Sequence, residues 1–202
     1  MSEPAGVALT FDDGPDPHWT PRVARALEAA GVRATFFVIG EHVARHPQTV
    51  EALAAAGHDV QLHCHRHRRH TELDRAALEA DTDAALATLE ALGLRARLWR
   101  TPWGNTAPWT PAVAAERGLT LVGWSADTHD WRGDHAGLML ASIDADVGDG
   151  AIVLAHDGLG PGALRAGCEG TIALVPRLVA LARGRGLSCG PVGLPRAASV
   201  TA

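Results

Sequence analysis

Five short segments, in a fixed order along the chain, carry side chains able to bind a metal and move protons. They are Thr10-Phe11-Asp12-Asp13-Gly14-Pro15, His63-Cys64-His65-Arg66-His67, Arg100-Thr101-Pro102-Trp103-Gly104, Trp124-Ser125-Ala126-Asp127-Thr128-His129-Asp130-Trp131 and Leu154-Ala155-His156-Asp157. Together they offer a carboxylate and two imidazoles for a divalent cation. A further carboxylate and a further histidine remain to accept and deliver protons. Metal-assisted hydrolysis of an acyl bond needs those parts.

Each segment also has a plainer reading. Asp12-Asp13 ends an apolar run, where adjacent side chains diverge, so one carboxylate can ligate while its neighbour stays free. Taken alone, Asp-Asp-Gly-Pro is also good turn chemistry. His63 and His67, at i and i+4, share one helical face, a spacing that lets two imidazoles meet one metal. His58, His65 and His70 offer false pairs, and His65 is expected to point away, as a solvated histidine. Cys64 lies about 100° round a helical turn from His63 and is expected in the packing rather than on the metal. Arg100 is either a surface arginine or the partner that keeps a catalytic carboxylate ionised. Asp127 and Asp130 are either caps or chemistry, and Trp124 and Trp131 either core or sugar platform. His156, after an apolar run, is placed to act as an acid.

These segments need elements to position them. Apolar runs at 7–11, 34–39, 59–62, 97–99, 120–124 and 151–155 read as strands. Helical patterns cover 21–30, 48–56, 74–92, 111–117, 136–147 and 171–183, with Pro21 and Gly31 suited to the start and end of the first. The alternation predicts a parallel sheet with both faces covered. Every chemical segment falls just past a strand's C-terminal end, where barrels of alternating strands and helices carry their sites.

The 202 residues, with no linker or repeat, predict one domain over 1–202 with its core at about 7–190. A net charge of −5 gives no basic face for nucleic acid. All 18 basic residues are arginine, which we read as compositional bias. Three cysteines make neither an even disulfide framework nor a zinc-finger spacing, as expected of a reducing compartment. The start lacks a basic, apolar leader, and no apolar stretch of about 18 residues occurs. A cytoplasmic protein with no membrane partner is the expectation, and a monomer is expected.

In this order the five segments resemble the polysaccharide deacetylases, carbohydrate esterase family 4, over roughly residues 7–183. The resemblance implies an α/β fold, a distorted (β/α) barrel of seven or eight strands in a single domain. It implies hydrolysis of N-acetyl or O-acetyl groups on carbohydrates. Asp13, His63 and His67 correspond to the metal ligands, Asp12 to the general base and Arg100 to its orienting partner. His156 corresponds to the general acid and Asp127 to the carboxylate that tunes it. The backbone N–H of Trp103 corresponds to the oxyanion donor, and Trp131 and Leu154 to the pocket around the acetyl methyl. The implied cofactor is Zn2+, with Co2+, Ni2+ or Mn2+ as alternatives. Cys64 and Gln61 depart from the family pattern, which favours Thr or Ser and a small residue there.

The substrate is expected to be an acetylated amino sugar, oligosaccharide or related acylated amine. O-acetyl esterase activity of the xylan type and a non-catalytic descendant of the fold are the rivals. Connections between segments that are mostly helix, without long loops to build a multi-subsite groove, predict a short, fairly open site that takes small soluble acceptors at least as well as insoluble polymer.

Overall fold

The computed structural model describes residues 6–193. Its strands are β1 Gly6–Asp12, β2 Thr35–Ile39, β3 Asp59–Cys64, β4 Leu98–Trp99, β5 Thr120–Leu121, β6 Ala126–Asp127, β7 Ile152–His156 and β8 Ser188–Gly190. Its helices are α1 Thr20–Ala29, α2 Gly40–Arg45, α3 Pro47–Ala55, α4 Arg75–Glu90, α5 Thr110–Glu116, α6 Ala136–Ile143 and α7 Glu169–Gly184. All strand pairs are parallel, in the order β5-β4-β3-β2-β1-β7-β6, and β8 pairs the start of β1. The sheet curls into an incomplete (β/α) barrel. Its two edges, β5 and β6, are consecutive in sequence yet share no ladder. None of the helices among the described residues is long and apolar enough to cross a membrane.

Strand alternation sorts the side chains into two environments. Leu9 and Phe11 of β1, Phe36 and Val38 of β2, Val60 and Leu62 of β3, and Val153 and Ala155 of β7 join one apolar core with residues of the covering helices. From α1 come Val23 and Leu27, from α3 Val50 and Leu53, and from α7 Leu174 and Leu178. Each such side chain, fully buried, contributes about 1.5–3 kcal/mol. The residues between them, Thr10, Asp12, Phe37, Gln61, His63, Leu154 and His156, face the barrel interior. The chemistry is therefore on the opposite face from the core that holds the strands.

Register then aligns it. Asp12 sits opposite His156 of β7 on one side and Phe37 of β2 on the other. The strands and helices expected from sequence are present with ends shifted by a few residues, but α2, β6 and β8 were not anticipated. The segment expected as strand at 120–124 is strand only over Thr120–Leu121. Thr20 is the first residue of α1; Trp19 is the N-cap and makes no side-chain capping bond.

Gln61 has a structural task. Strand β4 pairs with β3 only at Leu62 and Trp99. The Gln61 Oε1 accepts from the backbone N–H groups of Arg97 and Leu98, both at 2.7 Å, and its Nε2 donates to Asp59 Oδ1 at 2.7 Å. One buried amide thus replaces ladder bonds that the short strand cannot form. Gln61→Ala is expected to lower stability by about 1–3 kcal/mol by leaving buried N–H groups unpaired. Urea unfolding measures it, and an unchanged midpoint would refute the role.

Candidate active site

Asp13, His63 and His67 bring their ligand atoms within 4.8 Å of one another. Asp13 Oδ1 lies 3.4 Å from His63 Nε2 and 3.2 Å from His67 Nε2, and it is buried without a hydrogen-bond partner. His63 Nδ1 donates to the Arg100 carbonyl at 2.7 Å, which leaves Nε2 with its lone pair facing the cluster. Burial pushes the Asp13 carboxyl up, but His63 and His67 beside it outweigh that and hold it well below the usual range. An orphaned carboxylate oxygen facing two imidazoles fits a divalent cation of the zinc type.

The two histidines meet, but not on a helical face as expected. His63 is on β3, and His67 lies in the loop that follows. Asp13 is at φ 74°, in the left-handed region, and the His42 Nδ1 donates to its carbonyl at 3.1 Å, fixing that turn. Cys64 is buried and stands outside the cluster because neighbouring strand side chains point to opposite faces. Burial also raises its thiol well above the ordinary value. His65 is not the solvated residue expected. It is half buried, and its ring and backbone fill the space beside Gly40, where any side chain would collide with them.

Asp12 is 3% exposed and accepts from Arg100 Nη1 at 2.9 Å. The guanidinium is fully buried and also donates to Thr10 Oγ1 at 2.6 Å and the Gly123 carbonyl at 2.8 Å. Arg100 is thus the carboxylate partner and not a surface arginine.

His156 donates from Nδ1 to Asp130 Oδ1 at 2.7 Å, and its backbone N–H to Asp130 Oδ2 at 2.9 Å. The carboxylate expected there was Asp127, which the structure corrects. Asp127 pairs in register with Leu154, two residues short of His156 along the strand. That is about 6.6 Å too low, so only a residue beyond the end of β6 can reach the imidazole. Asp127 instead accepts from the His129 backbone N–H at 2.8 Å and lines the cleft wall. Burial opposes the charge on His156, but Asp130, and then Asp13 and Asp12, raise it to about 9. Burial works against Asp130 too, yet His156, Arg165 and Thr171 bring it to about 2.

Asp12, Asp13, His63, His67 and His156 line one cavity of about 260 Å³, with Trp103, Trp131 and Leu154 in its walls as expected. Trp103 is at φ 53°, and its ring meets His67 edge-on at 4.2 Å. The connection from β7 to α7 closes one side. A Cβ at Gly160 would strike the Asp13 carboxylate, and one at Gly158 the Asp13 carbonyl, so both must be glycine. Asp157, buried beneath, accepts from Thr20 Oγ1, which in turn accepts from the Asp16 N–H at 2.8 Å. Burial, with the charge of Asp13 adding, raises Asp157 to about 7. Asp130, Arg165, Thr171 and Asp157 were not assigned site roles from sequence. The register of Asp127 against Leu154 was the missing signal for the first.

A family profile for polysaccharide deacetylase matches residues 2–122. The chain is 36% identical over 173 residues to a chitooligosaccharide deacetylase of Bradyrhizobium sp., covering 85% of this chain and 79% of that one. It is 37% identical over 155 residues to the peptidoglycan-N-acetylglucosamine deacetylase PgdA of Listeria monocytogenes, covering 75% of this chain but only 32% of that protein. Its fold superposes with a TM-score of 0.84 on the family 4 carbohydrate esterase from Streptomyces lividans, solved in complex with acetate. That match has 30% identity and covers 94% and 93% of the two chains. The chain belongs to the polysaccharide deacetylase family.

The ligand assignment predicts a pattern of metal content. His63→Ala, His67→Ala and Asp13→Ala are expected to lose most bound zinc. His65→Ala and Cys64→Ser are expected to hold it within a few-fold of the parent. Elemental analysis of dialysed protein reads this directly, and zinc loss from Cys64→Ser equal to that from His67→Ala would show a ligand set drawn wrongly.

Proposed function

We propose that this protein is a metal-dependent N-deacetylase of acetylated amino sugars in short oligosaccharides, releasing acetate and a free amine. The observation that carries it is the convergence of three groups on one small cavity: the Asp13, His63 and His67 cluster, the Asp12–Arg100 pair and the His156–Asp130 pair. The chitooligosaccharide and peptidoglycan deacetylases among its relatives support the substrate class.

Asp13, His63 and His67 would hold the cation. When bound there, a divalent metal supplies Lewis acidity that polarises the acyl carbonyl and acidifies water. Asp12, oriented by its bond from Arg100, takes the proton of the attacking water. The Trp103 amide is assigned to the developing oxyanion. Trp131 and Leu154 enclose the acetyl methyl. His156 enters as imidazolium, its Nδ1 held by Asp130, and Nε2 gives its proton to the nitrogen as the C–N bond breaks. An amide requires that step because an unprotonated amine anion leaves very poorly, whereas an O-acetyl ester needs it less. A half-buried imidazolium of this kind, facing the cavity, favours the N-acetyl reading over the esterase reading.

Acetate release from N-acetylated chitooligosaccharides, acetylated xylan and insoluble peptidoglycan, with added zinc or cobalt, tests the proposal. Turnover of the oligosaccharide is expected to exceed that of the other two, to vanish with chelator and to return with metal. Asp12→Asn is expected to retain metal and lose about 10²–10⁴-fold in rate. Release from xylan alone would overturn the substrate class.

The imidazolium also predicts a pH profile. Activity requires the protonated His156 and falls at alkaline pH as that proton is lost. Asp130→Asn removes the negative charge that raises His156, so the alkaline fall moves to lower pH. Asp127→Asn, without contact to the imidazole, leaves the position of that fall in place. Identical profiles for the two variants would reject the assignment of Asp130.

A further inference from the structure

The connection between β7 and α7 carries a second arginine, which none of the chemistry above uses. Arg165 has a side chain only 5% exposed, and its guanidinium is built into the acid side of the site. Its Nη1 donates to Asp130 Oδ2 at 2.8 Å and also to Thr171 Oγ1. Its Nη2 donates to the carbonyls of His156 at 3.0 Å and Gly158 at 3.1 Å. Thr171 Oγ1 donates to the same Asp130 oxygen at 2.6 Å. Asp130 Oδ2 therefore accepts from Arg165, Thr171 and the His156 N–H, while Oδ1 is left for the imidazole alone.

That division matters for the direction of the proton. A carboxylate free to rotate could present either oxygen, in either of two lone-pair directions, to the imidazole. With Oδ2 occupied by charge-assisted bonds, Oδ1 has one orientation, and the ring that donates to it has one as well. The same guanidinium grips the backbone on both sides of Asp157, so ring, carboxylate and strand end are tied to a single planar group. Its charge also offsets that of Asp130, which keeps the proton on the imidazole rather than shared with the carboxylate.

We propose that Arg165 is a positioning residue for the acid step, holding Asp130 so that His156 presents its Nε2 proton to the departing nitrogen. This rests on the reading of His156 as the acid of an N-deacetylase. The arginine borders the cavity, but its guanidinium bonds go to Asp130, Thr171 and two backbone carbonyls, so it acts through Asp130. The other charged groups facing the imidazole are Asp12 and Asp13 of β1 and the turn after it. Those serve water attack and metal binding, and Arg165 makes no contact with either.

Two measurements on the metal-loaded protein test this. The first compares Arg165→Ala with the parent on an N-acetylated chitooligosaccharide and on an acetate ester of a good phenol leaving group. On the amide, kcat is expected to fall about 10–100-fold with KM within about threefold, while the ester falls about threefold or less. Added guanidinium is expected to restore part of the amide rate only. Equal losses on both substrates would show that Arg165 merely holds the loop, and would overturn the proposal. The second measurement is the downfield proton resonance of His156 Nδ1–H, assigned by its loss in His156→Ala. It is expected to broaden or vanish in Arg165→Ala, and an unchanged resonance would likewise overturn the proposal. Because this signal needs no substrate, it decides the matter even if the parent fails on every amide, an outcome that would refute the substrate class alone. Should Arg165→Ala not fold, Arg165→Gln, close in length and uncharged, gives the same readings.

Discussion

A guanidinium with no access to water lies at the centre of the barrel, and the residues around it are arranged to satisfy its two terminal nitrogens. Arg100 has Asp12, Thr10 and the Gly123 carbonyl for its terminal nitrogens, with the Phe37 ring 4.3 Å from its central carbon. Burying such a charge costs several kcal/mol, which only well-placed partners offset. The arginine therefore dictates its neighbours. Thr10 and Asp12 must both face inward, as they do two residues apart on β1, and the irregular stretch between β5 and β6 must turn its carbonyl into the barrel. That stretch is where the sheet stays open, so the missing ladder and the buried arginine belong to one arrangement. Truncating Arg100 alone would strand Asp12 as an unpaired buried charge, a change of about 3–5 kcal/mol. Under the proposed mechanism, stability and catalytic competence are tied to the same contact.

The site uses that device twice. Asp12 is held by Arg100 and Asp130 by Arg165, and the two carboxylates stand on either side of the β1–β7 pair, whose register sets Asp12 opposite His156. In each case an arginine occupies one side of the carboxylate; Asp12 also lines the cavity, whereas Asp130 is fully buried and reaches the cavity only through the His156 ring. The partners differ where the chemistry differs. In the proposed mechanism Asp12 keeps its other oxygen for the attacking water, whereas Asp130 is spent on the imidazole of the proposed acid. Under that reading a base and an acid on neighbouring strands are held apart by separate partners.

Much of this was legible in the sequence, for reasons of period. Buried parallel strands give short apolar runs, and the chemical segments sit at their ends, so the alternating architecture and the positions of Asp12, Asp13, His63, Arg100 and His156 could be read in advance. What failed was local geometry. The spacing of His63 and His67 fits a helical face, yet the first lies on a strand and the second in a loop. Two backbone paths of equal length bring the rings together, and spacing alone does not distinguish them. The same error assigned Cys64 its direction from helical rotation, although strand alternation excludes it from the cluster for a different reason.

The exchange of Asp127 for Asp130 has a sharper cause. Both are acidic, both flank Thr128-His129, and nothing in their types separates them. The difference is a register: β6 ends opposite Leu154, and His156 lies one pleat further on, so the partner must come from the turn that overshoots the strand. Register is a property of two segments some 26 residues apart, as the Asp130–His156 separation shows, and composition carries no trace of it. Arg165 was hidden in the same way, in a glycine-rich connection that reads as a loop and becomes a clamp only when α7 places Thr171 beside it. Residues that bind a metal announce themselves by type, while residues that aim another side chain become visible only when strands are paired and loops are closed over them.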